Sequence, residues 1–409
     1  MRKYNFLTQN DYLFIGAIGD DSAIEKLNSL GGNVSTGYNV QRKMMDGLES
    51  LGYYSDAIIG HVSPPFHMKS LVINFASANR NENVTDISIG FINLPIIDKI
   101  IKEFKIGKAA KKWIQGKKNP RIFVYSLASY YLIGAIKAKK LNSKGKCIVI
   151  VPDLPEYMSY NYNVLYRALK KIDRIIINHC IRQADAFILF SEKMKERLPI
   201  KDKPYVVVEG IIRNVNKADY LSCVEKRASN SERIIMLTGN LSYEEGIPQL
   251  LDAFSGIKEE RCKLWLTGDG NAVNLINEYA KSDDRITYYG YINSYTEFTR
   301  LQQKAYIFVL MVSPKAAKSP YYFPSKLMEY LASGGIVACH KLSCIPKEYD
   351  EHLEYFEADT TDNVRRKLEE LCVLESQAYI EKATSRYDFL CHKCPEEQMK
   401  KVEAMLKIL

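Results

Sequence analysis

Long apolar runs are missing from this 409-residue sequence, and their absence removes the membrane-spanning class first. The longest, such as Cys147 to Val151 and Ile234 to Leu237, have the length of a strand and fall well short of the ~20 residues a membrane helix requires. The first ten residues carry Arg2 and Lys3 but not the apolar core of a secretory signal, so the expected location is cytoplasmic, with any membrane contact peripheral at the inner face of the plasma membrane. Cysteine lacks a pattern: nine, scattered and odd in number, suit a reducing compartment and small buried positions rather than a disulfide framework. Cys391-His-Lys-Cys394 has no second pair at metal spacing, which argues against structural zinc. With neither H-E-x-x-H nor G-x-S-x-G present, zinc-peptidase and serine-hydrolase readings have no support.

What remains is the composition of an ordinary globular protein, 46% hydrophobic and 26% charged, long enough for two domains. The net charge of +9 favours an anionic partner without choosing among phosphate, nucleic acid and acidic lipid. Short Ile-, Val-, Tyr- and Phe-rich runs alternate with longer amphipathic stretches, as buried parallel strands alternate with covering helices. They fall at Tyr12 to Ile18, Ala57 to Ile59, Ile122 to Tyr125, Cys147 to Val151, Ala186 to Phe190 and Tyr205 to Val208. The second half repeats them at Arg233 to Thr238, Lys263 to Thr267, Ile286 to Tyr289, Ala305 to Met311, Gly335 to Cys339 and Leu353 to Phe356. Each half reads as a doubly wound α/β unit. Between them, 211–232 loses the apolar periodicity and has the composition of an exposed hinge. The expected domains are therefore 1–211 and 212–384, with a C-terminal helix at about 385–409, apolar at Met399, Val402, Met405 and Leu406, packing back on the first.

The segment Phe323-Pro-Ser-Lys-Leu-Met-Glu-Tyr-Leu-Ala-Ser-Gly-Gly-Ile-Val-Ala338 reads as a helix opened at Pro324 and Ser325, stopped at Gly334 and followed by a strand. Such a start aims free backbone N–H groups and Lys326 at one point, a cradle for a diphosphate. Glu329, one turn inward on the same side, can accept hydrogen bonds from a vicinal diol such as a ribose. A structural helix carrying a surface Lys and Glu accounts for the same residues.

This segment resembles the donor-site motif of the family 4 glycosyltransferases. Leu237-Thr-Gly-Asn-Leu-Ser-Tyr-Glu-Glu-Gly-Ile-Pro-Gln-Leu-Leu-Asp-Ala-Phe254, Leu264-Trp-Leu-Thr-Gly-Asp-Gly270 and Ile286-Thr-Tyr-Tyr-Gly-Tyr-Ile292 resemble the strands and glycine loop of its nucleotide-binding domain. Ala184 to Glu192 and Val206 to Gly210 resemble the close of its first domain. The resemblance implies a GT-B fold, two Rossmann-like doubly wound α/β domains facing across a cleft. It also implies transfer from a UDP- or GDP-linked sugar, with retention and no obligatory metal or other cofactor. It places the base near Tyr289 to Ile292, with donor contacts from Gly239, Asn240, Tyr291, Tyr321, Tyr322, Ser325, Lys326 and Glu329. Lys326 would stabilise the departing diphosphate and Asp153 is the catalytic candidate on the acceptor side. Four departures count: Asp153 stands without the His that often precedes it in the family, and where the family usually has Arg, Lys and a first glutamate stand Asn240, Glu245 and Tyr321. The last three motivate a competing reading, a non-catalytic subunit that stabilises a true transferase; a sugar-nucleotide epimerase is a third.

In the first half, Gly31-Gly-Asn-Val-Ser-Thr-Gly37 precedes a helix and makes Gly31 and Gly32 acceptor-side candidates; without G-x-G-x-x-G spacing, a plain connecting loop fits equally. Asp153 and Glu156 follow a strand end, where open α/β sheets place ligand contacts, although a rigid two-proline turn also explains them. The stretch from Lys99 to Lys118 holds eight lysines and one acid, Glu103, interleaved with Ile100, Phe104 and Trp113. It reads as a peripheral contact with an anionic membrane or as a solvated helix face, consistent with a lipid-linked or glycan acceptor; the signatures of common RNA modules are absent.

Overall fold

Strands only a few residues long and buried on both faces need helices above and below them, and the chain provides this twice. The computed structural model describes residues 6, 10–18, 21–31, 35–64, 70–75, 77, 79–157, 164–292 and 294–409. Contacts divide the chain into one unit of 1–211 with 395–409 and a second of 212–394.

Unit 1 runs β1 (Tyr12–Gly16), α1 (Asp21–Ser29), α2 (Ser35–Ser50), β2 (Ser55–Ile59), β3 (Val72–Ile73), β4 (Asp86–Ser88), β5 (Phe91–Ile92), α3 (Ile97–Trp113), β6 (Arg121–Tyr125), α4 (Ser129–Lys139), β7 (Lys146–Val151), α5 (Val164–Ile181), β8 (Ala186–Leu189) and β9 (Tyr205–Val207). Its sheet has the order β4-β2-β1-β6-β7-β8-β9 with every pairing parallel, and β3 and β5 form a separate antiparallel pair. Phe14, Phe123, Ile148 and Ile188 of the strands and Met44, Met45 and Leu48 of α2 share one core. On the same sheet α3 and α4 cross closely: a Cβ on Gly134 would stand 3.2 Å from the backbone nitrogen of Gly107 and 3.0 Å from the Ile106 side chain, so Gly134 sits where the two helices leave little space.

Unit 2 continues with α6 (Lys217–Ala228), β10 (Arg233–Asn240), α7 (Ile247–Ser255), β11 (Cys262–Asp269), α8 (Val273–Ser282), β12 (Ile286–Tyr288), α9 (Tyr295–Lys304), β13 (Ile307–Leu310), α10 (Ser325–Ser333), β14 (Ile336–His340), β15 (Glu354–Phe356), α11 (Thr361–Cys372), α12 (Ser376–Thr384) and α13 (Arg386–Cys391). The sheet order is β12-β11-β10-β13-β14-β15, again all parallel, the doubly wound arrangement in which strand order reverses between β10 and β13.

The last helix, α14 (Pro395–Leu406), lies in unit 1, where Met399, Val402, Met405 and Leu406 complete the core beside α2 and Tyr53 donates to the Glu403 carboxylate at 2.9 Å. The returning segment starts at Pro395 and not near 385. Residues 385–394 stay in unit 2 because the Arg386 guanidinium donates to the Gly335 carbonyl at 2.6 Å and Tyr387 to that of Val215 at 3.0 Å.

Candidate functional site

In an open parallel sheet the carboxyl ends of the strands form a crevice where strand order reverses, and in unit 2 that point is the end of β10. Gly239 sits there with φ +104° and is paired in register with Gly268 of β11, φ +138°. A Cβ on Gly268 would stand 1.9 Å from the Gly239 carbonyl oxygen, and one on Gly239 3.1 Å from Lys326 Cε. The two glycines thus let strand ends and a lysine stem approach more closely than any other residue allows.

α10 brings that lysine. Pro324 precedes its first turn and offers no side-chain acceptor, so the leading amides of the helix are not capped by it. Leu327, Met328, Tyr330 and Leu331 are buried, Tyr330 stacks on Phe308 of β13 at 4.5 Å, and its hydroxyl accepts from the Thr238 amide at 2.9 Å. Both strands at the reversal therefore fix the helix. Gly334, φ +87°, ends it before β14. Ser325, Lys326 and Glu329 are half-buried, and Lys326 Nζ lies 3.0 Å from Glu329 Oε2 and 5.4 Å from the Phe298 ring centre. Burial pulls the Lys326 pKa down, but the Glu329 carboxylate, with Tyr330 and Tyr291, outweighs it and leaves the ammonium above its ordinary value. Gly239, Tyr291, Lys326 and Glu329 are thereby brought together, with Ser325 opening the helix.

The other donor-side candidates lie around this point. Asn240 is exposed, its amide donating to Ser242 Oγ at 3.3 Å. Tyr321 and Tyr322 are half-buried ahead of α10, and Lys318 Nζ lies 5.3 Å from the Tyr322 ring centre. Lys318 also forms an ion pair with Glu245, so an ammonium stands beside the position where the sequence shows a carboxylate. A second polar group, unforeseen from sequence, gathers at the ends of β13 and β14: Ser313 donates to Asp359 at 2.6 Å, Gln249 to the same carboxylate at 3.4 Å, and His340 Nε2 lies 3.5 Å from it. Burial holds the His340 pKa below its usual value despite Asp359. The only sequence signal for this group is a His directly after a strand-like run; its partners are remote in sequence. A separate concavity lined by Ser255, Lys281, Asp283 and Arg285 lies at the opposite end of the strands, and its Arg285–Asp283 pair at 2.6 Å satisfies itself.

In unit 1, Asp153 is exposed beyond β7 and close enough to raise the pKa of the buried Tyr125, secondary to burial itself. Glu156 is committed to an ion pair with Arg174 of α5. Gly31, φ +80°, terminates α1 with its amide donating to the Asn28 carbonyl at 2.9 Å, the connecting-loop role; Gly32 lies outside the described residues. Of the lysines from 99 to 118, Lys99, Lys108, Lys111, Lys112 and Lys118 are exposed, whereas Lys102 is buried against the Phe91 ring. Among the described residues no three His, Cys, Asp or Glu side chains converge as metal ligands would.

Residues 224–385 match the family described as glycosyl transferases group 1. Solved structures align over nearly the whole chain. The lipopolysaccharide outer core galactosyltransferase WaaB, in its apo form, matches with TM-score 0.59 and 14% identity, covering 97% of this chain and 99% of that one. Sucrose-phosphate synthase from Thermosynechococcus elongatus gives 0.64 and 14% with the same coverage, and HepE of Anabaena, in complex with UDP, 0.63 and 10% over 97% and 100%. A search of curated protein sequences finds no match. The two units have the GT-B fold, and the match to the group 1 glycosyl transferases is carried by residues 224–385 of the second unit.

Proposed function

We propose that the chain transfers a sugar from a nucleoside-diphosphate sugar, UDP- or GDP-linked, to a lipid-linked or glycan acceptor in surface polysaccharide assembly. The observation that carries this reading is the seat at the reversal of the second sheet, where the uncapped start of α10, Lys326 and Glu329 meet Gly239. The leading amides and Lys326 would hold the diphosphate, and Glu329 would accept from the ribose diol. The base would lie toward Tyr291, with Asn240, Tyr321 and Tyr322 bordering the seat.

Breaking the glycosidic bond places the bonding electron pair on the departing diphosphate, so a fixed ammonium acts where charge develops. Lys326 supplies it, and Lys318 is a second ammonium at the same strand ends. Retention of configuration without an obligatory metal belongs to the same proposal, as does Asp153 on the acceptor side. That HepE was solved with UDP supports the choice of donor.

Asn240, Glu245 and Tyr321 favour the second reading, a non-catalytic GT-B subunit. Incubation of the purified chain with a panel of UDP- and GDP-sugars decides between them. Hydrolysis or transfer of the unaltered sugar is expected; recovery of a sugar inverted at a ring carbon, with no acceptor added, would instead indicate epimerisation, and binding of no nucleotide would assign the chain to the accessory class.

A further inference from the structure

One helix layer of unit 1 leaves large apolar side chains in water. α3, α4 and α5 are contiguous: Lys137 of α4 pairs with Glu103 of α3 at 2.9 Å, and both act electrostatically on Cys180 near the end of α5. At the other end Asp98 of α3 and Asp173 of α5 both act on Tyr130, in the first turn of α4. α4 is mostly buried, so α3 and α5 supply most of the outer surface. On α3, Ile100 is 60% exposed and Phe104, one turn on, 71%; on α5, Ile172 is 56% and Ile175 69% exposed. A helix face turned to water is expected to be polar at such positions.

Charge is concentrated on the same layer. The three helices hold twelve Lys and Arg against three Asp and Glu; taking these from the chain's 57 and 48 leaves 45 of each. All of the net +9 therefore resides in α3, α4 and α5, where Lys99, Lys108, Lys111, Lys112, Arg167 and Lys171 are exposed among the apolar groups. A second copy of this face would be repelled by its like charge. Nucleic acid would meet the lysines and leave the aliphatic side chains without a partner. A bilayer with anionic headgroups satisfies both sets, because apolar side chains reach the acyl boundary while the bases remain among the phosphates.

We infer that the outer face of α3 and α5 is a docking surface for an anionic lipid bilayer, with Ile100, Phe104, Ile172 and Ile175 as the inserted anchors. The surface extends beyond the Lys99 to Lys118 stretch: α5 is half of it, and Lys102 is not part of it. It is independent of the nucleotide seat, which is in the other unit.

The test is sedimentation of the full chain, without nucleotide, with vesicles of phosphatidylcholine alone or with about 30% phosphatidylglycerol. Binding is expected only with the anionic lipid and should weaken as salt is raised. The pair Phe104→Ser with Ile175→Ser, and separately the triple change Lys108→Gln, Lys111→Gln and Lys112→Gln, should each weaken it at least about tenfold at an unchanged melting temperature. Lys326→Met should sediment as the parent chain does, so failure of the donor-site reading leaves this result standing. Equal binding to neutral vesicles, or parental affinity in both surface variants, overturns the inference. So does a change in oligomeric mass, or a loss of RNA binding, in those variants with vesicle binding unaltered. If the Phe104–Ile175 variant fails to fold, the lysine variant and the parent's salt series still decide.

Discussion

Replacing Lys326 by Met removes one ammonium and keeps most of its stem. That stem fills space, since Lys326 Cε approaches Gly239 and its amine lies near the Phe298 ring, so truncation to Ala would confound charge with packing. Without ligand the ammonium is paired with Glu329 three residues on, the two side chains being 27% and 36% exposed. A partly exposed helical pair of this kind contributes ~0.3–0.5 kcal/mol, so the melting temperature should fall by only about 1–2 °C. Toward a nucleoside diphosphate in the proposed seat the same ammonium would make a charge-assisted hydrogen bond worth ~1.5–3 kcal/mol, which corresponds to a Kd rise of roughly 10- to 150-fold. The Glu329 carboxylate left without its partner adds repulsion, and combining Lys326→Met with Glu329→Gln should recover part of the diphosphate affinity. Isothermal titration with UDP and GDP, run beside thermal unfolding, reads both quantities. A Kd within about twofold of the parent's, or a loss of binding matched by an equal loss of stability, would refute the anion seat.

Three further outcomes are expected. Gly268→Ala should lower stability by at least ~3 kcal/mol in urea titrations or prevent folding, because its φ of +138° disfavours a side chain and the new Cβ would meet the Gly239 carbonyl. Lys318→Ala should weaken UDP binding about fivefold by leaving Glu245 unpaired, and Glu245→Gln alone should strengthen it by freeing Lys318, both read by titration calorimetry. Burial draws the Lys102 ammonium down to about 8 against the attraction of Asp98. The unfolded chain holds that proton to about 10.4 and so binds more protons between the two values, which makes stability rise with pH from about 8 to 10. Lys102→Met should flatten that rise, and urea midpoints at several pH values show the difference.

The strands of both principal sheets were legible wherever an apolar run bounded by turn residues had to be buried on both faces, as at Cys147 to Val151 and Arg233 to Thr238. β3 and β5, two residues each, and β4, Asp86-Ile-Ser88, are too short and too polar for such a pattern to form. α10 was legible because a proline start, an apolar face and a glycine stop are local signals, and they set Lys326 and Glu329 on one side. The Lys318–Glu245 pair joins residues 73 positions apart and carries no local signal. Neither does the approach of Asp359 to His340. The lysines from 99 to 118 read alike in sequence, yet helix periodicity sends Lys102 inward to Phe91 and Ser63 and leaves Lys99 and Lys108 in water.

Once these contacts are in place, the departures at Asn240 and Glu245 take a different meaning. In sequence they subtract positive charge from a phosphate site. In the structure Glu245 is neutralised by Lys318, and Lys326 by Glu329, so both ammoniums at the strand ends are held by carboxylates. A diphosphate entering the proposed seat would therefore have to draw ammoniums away from carboxylates, and a diol arriving with it would offer Glu329 new donors in exchange. Affinity then depends on both halves of the ligand together. Inorganic pyrophosphate, which lacks the diol, should bind far more weakly than a nucleoside diphosphate, because it can take the ammonium only by stranding the carboxylate.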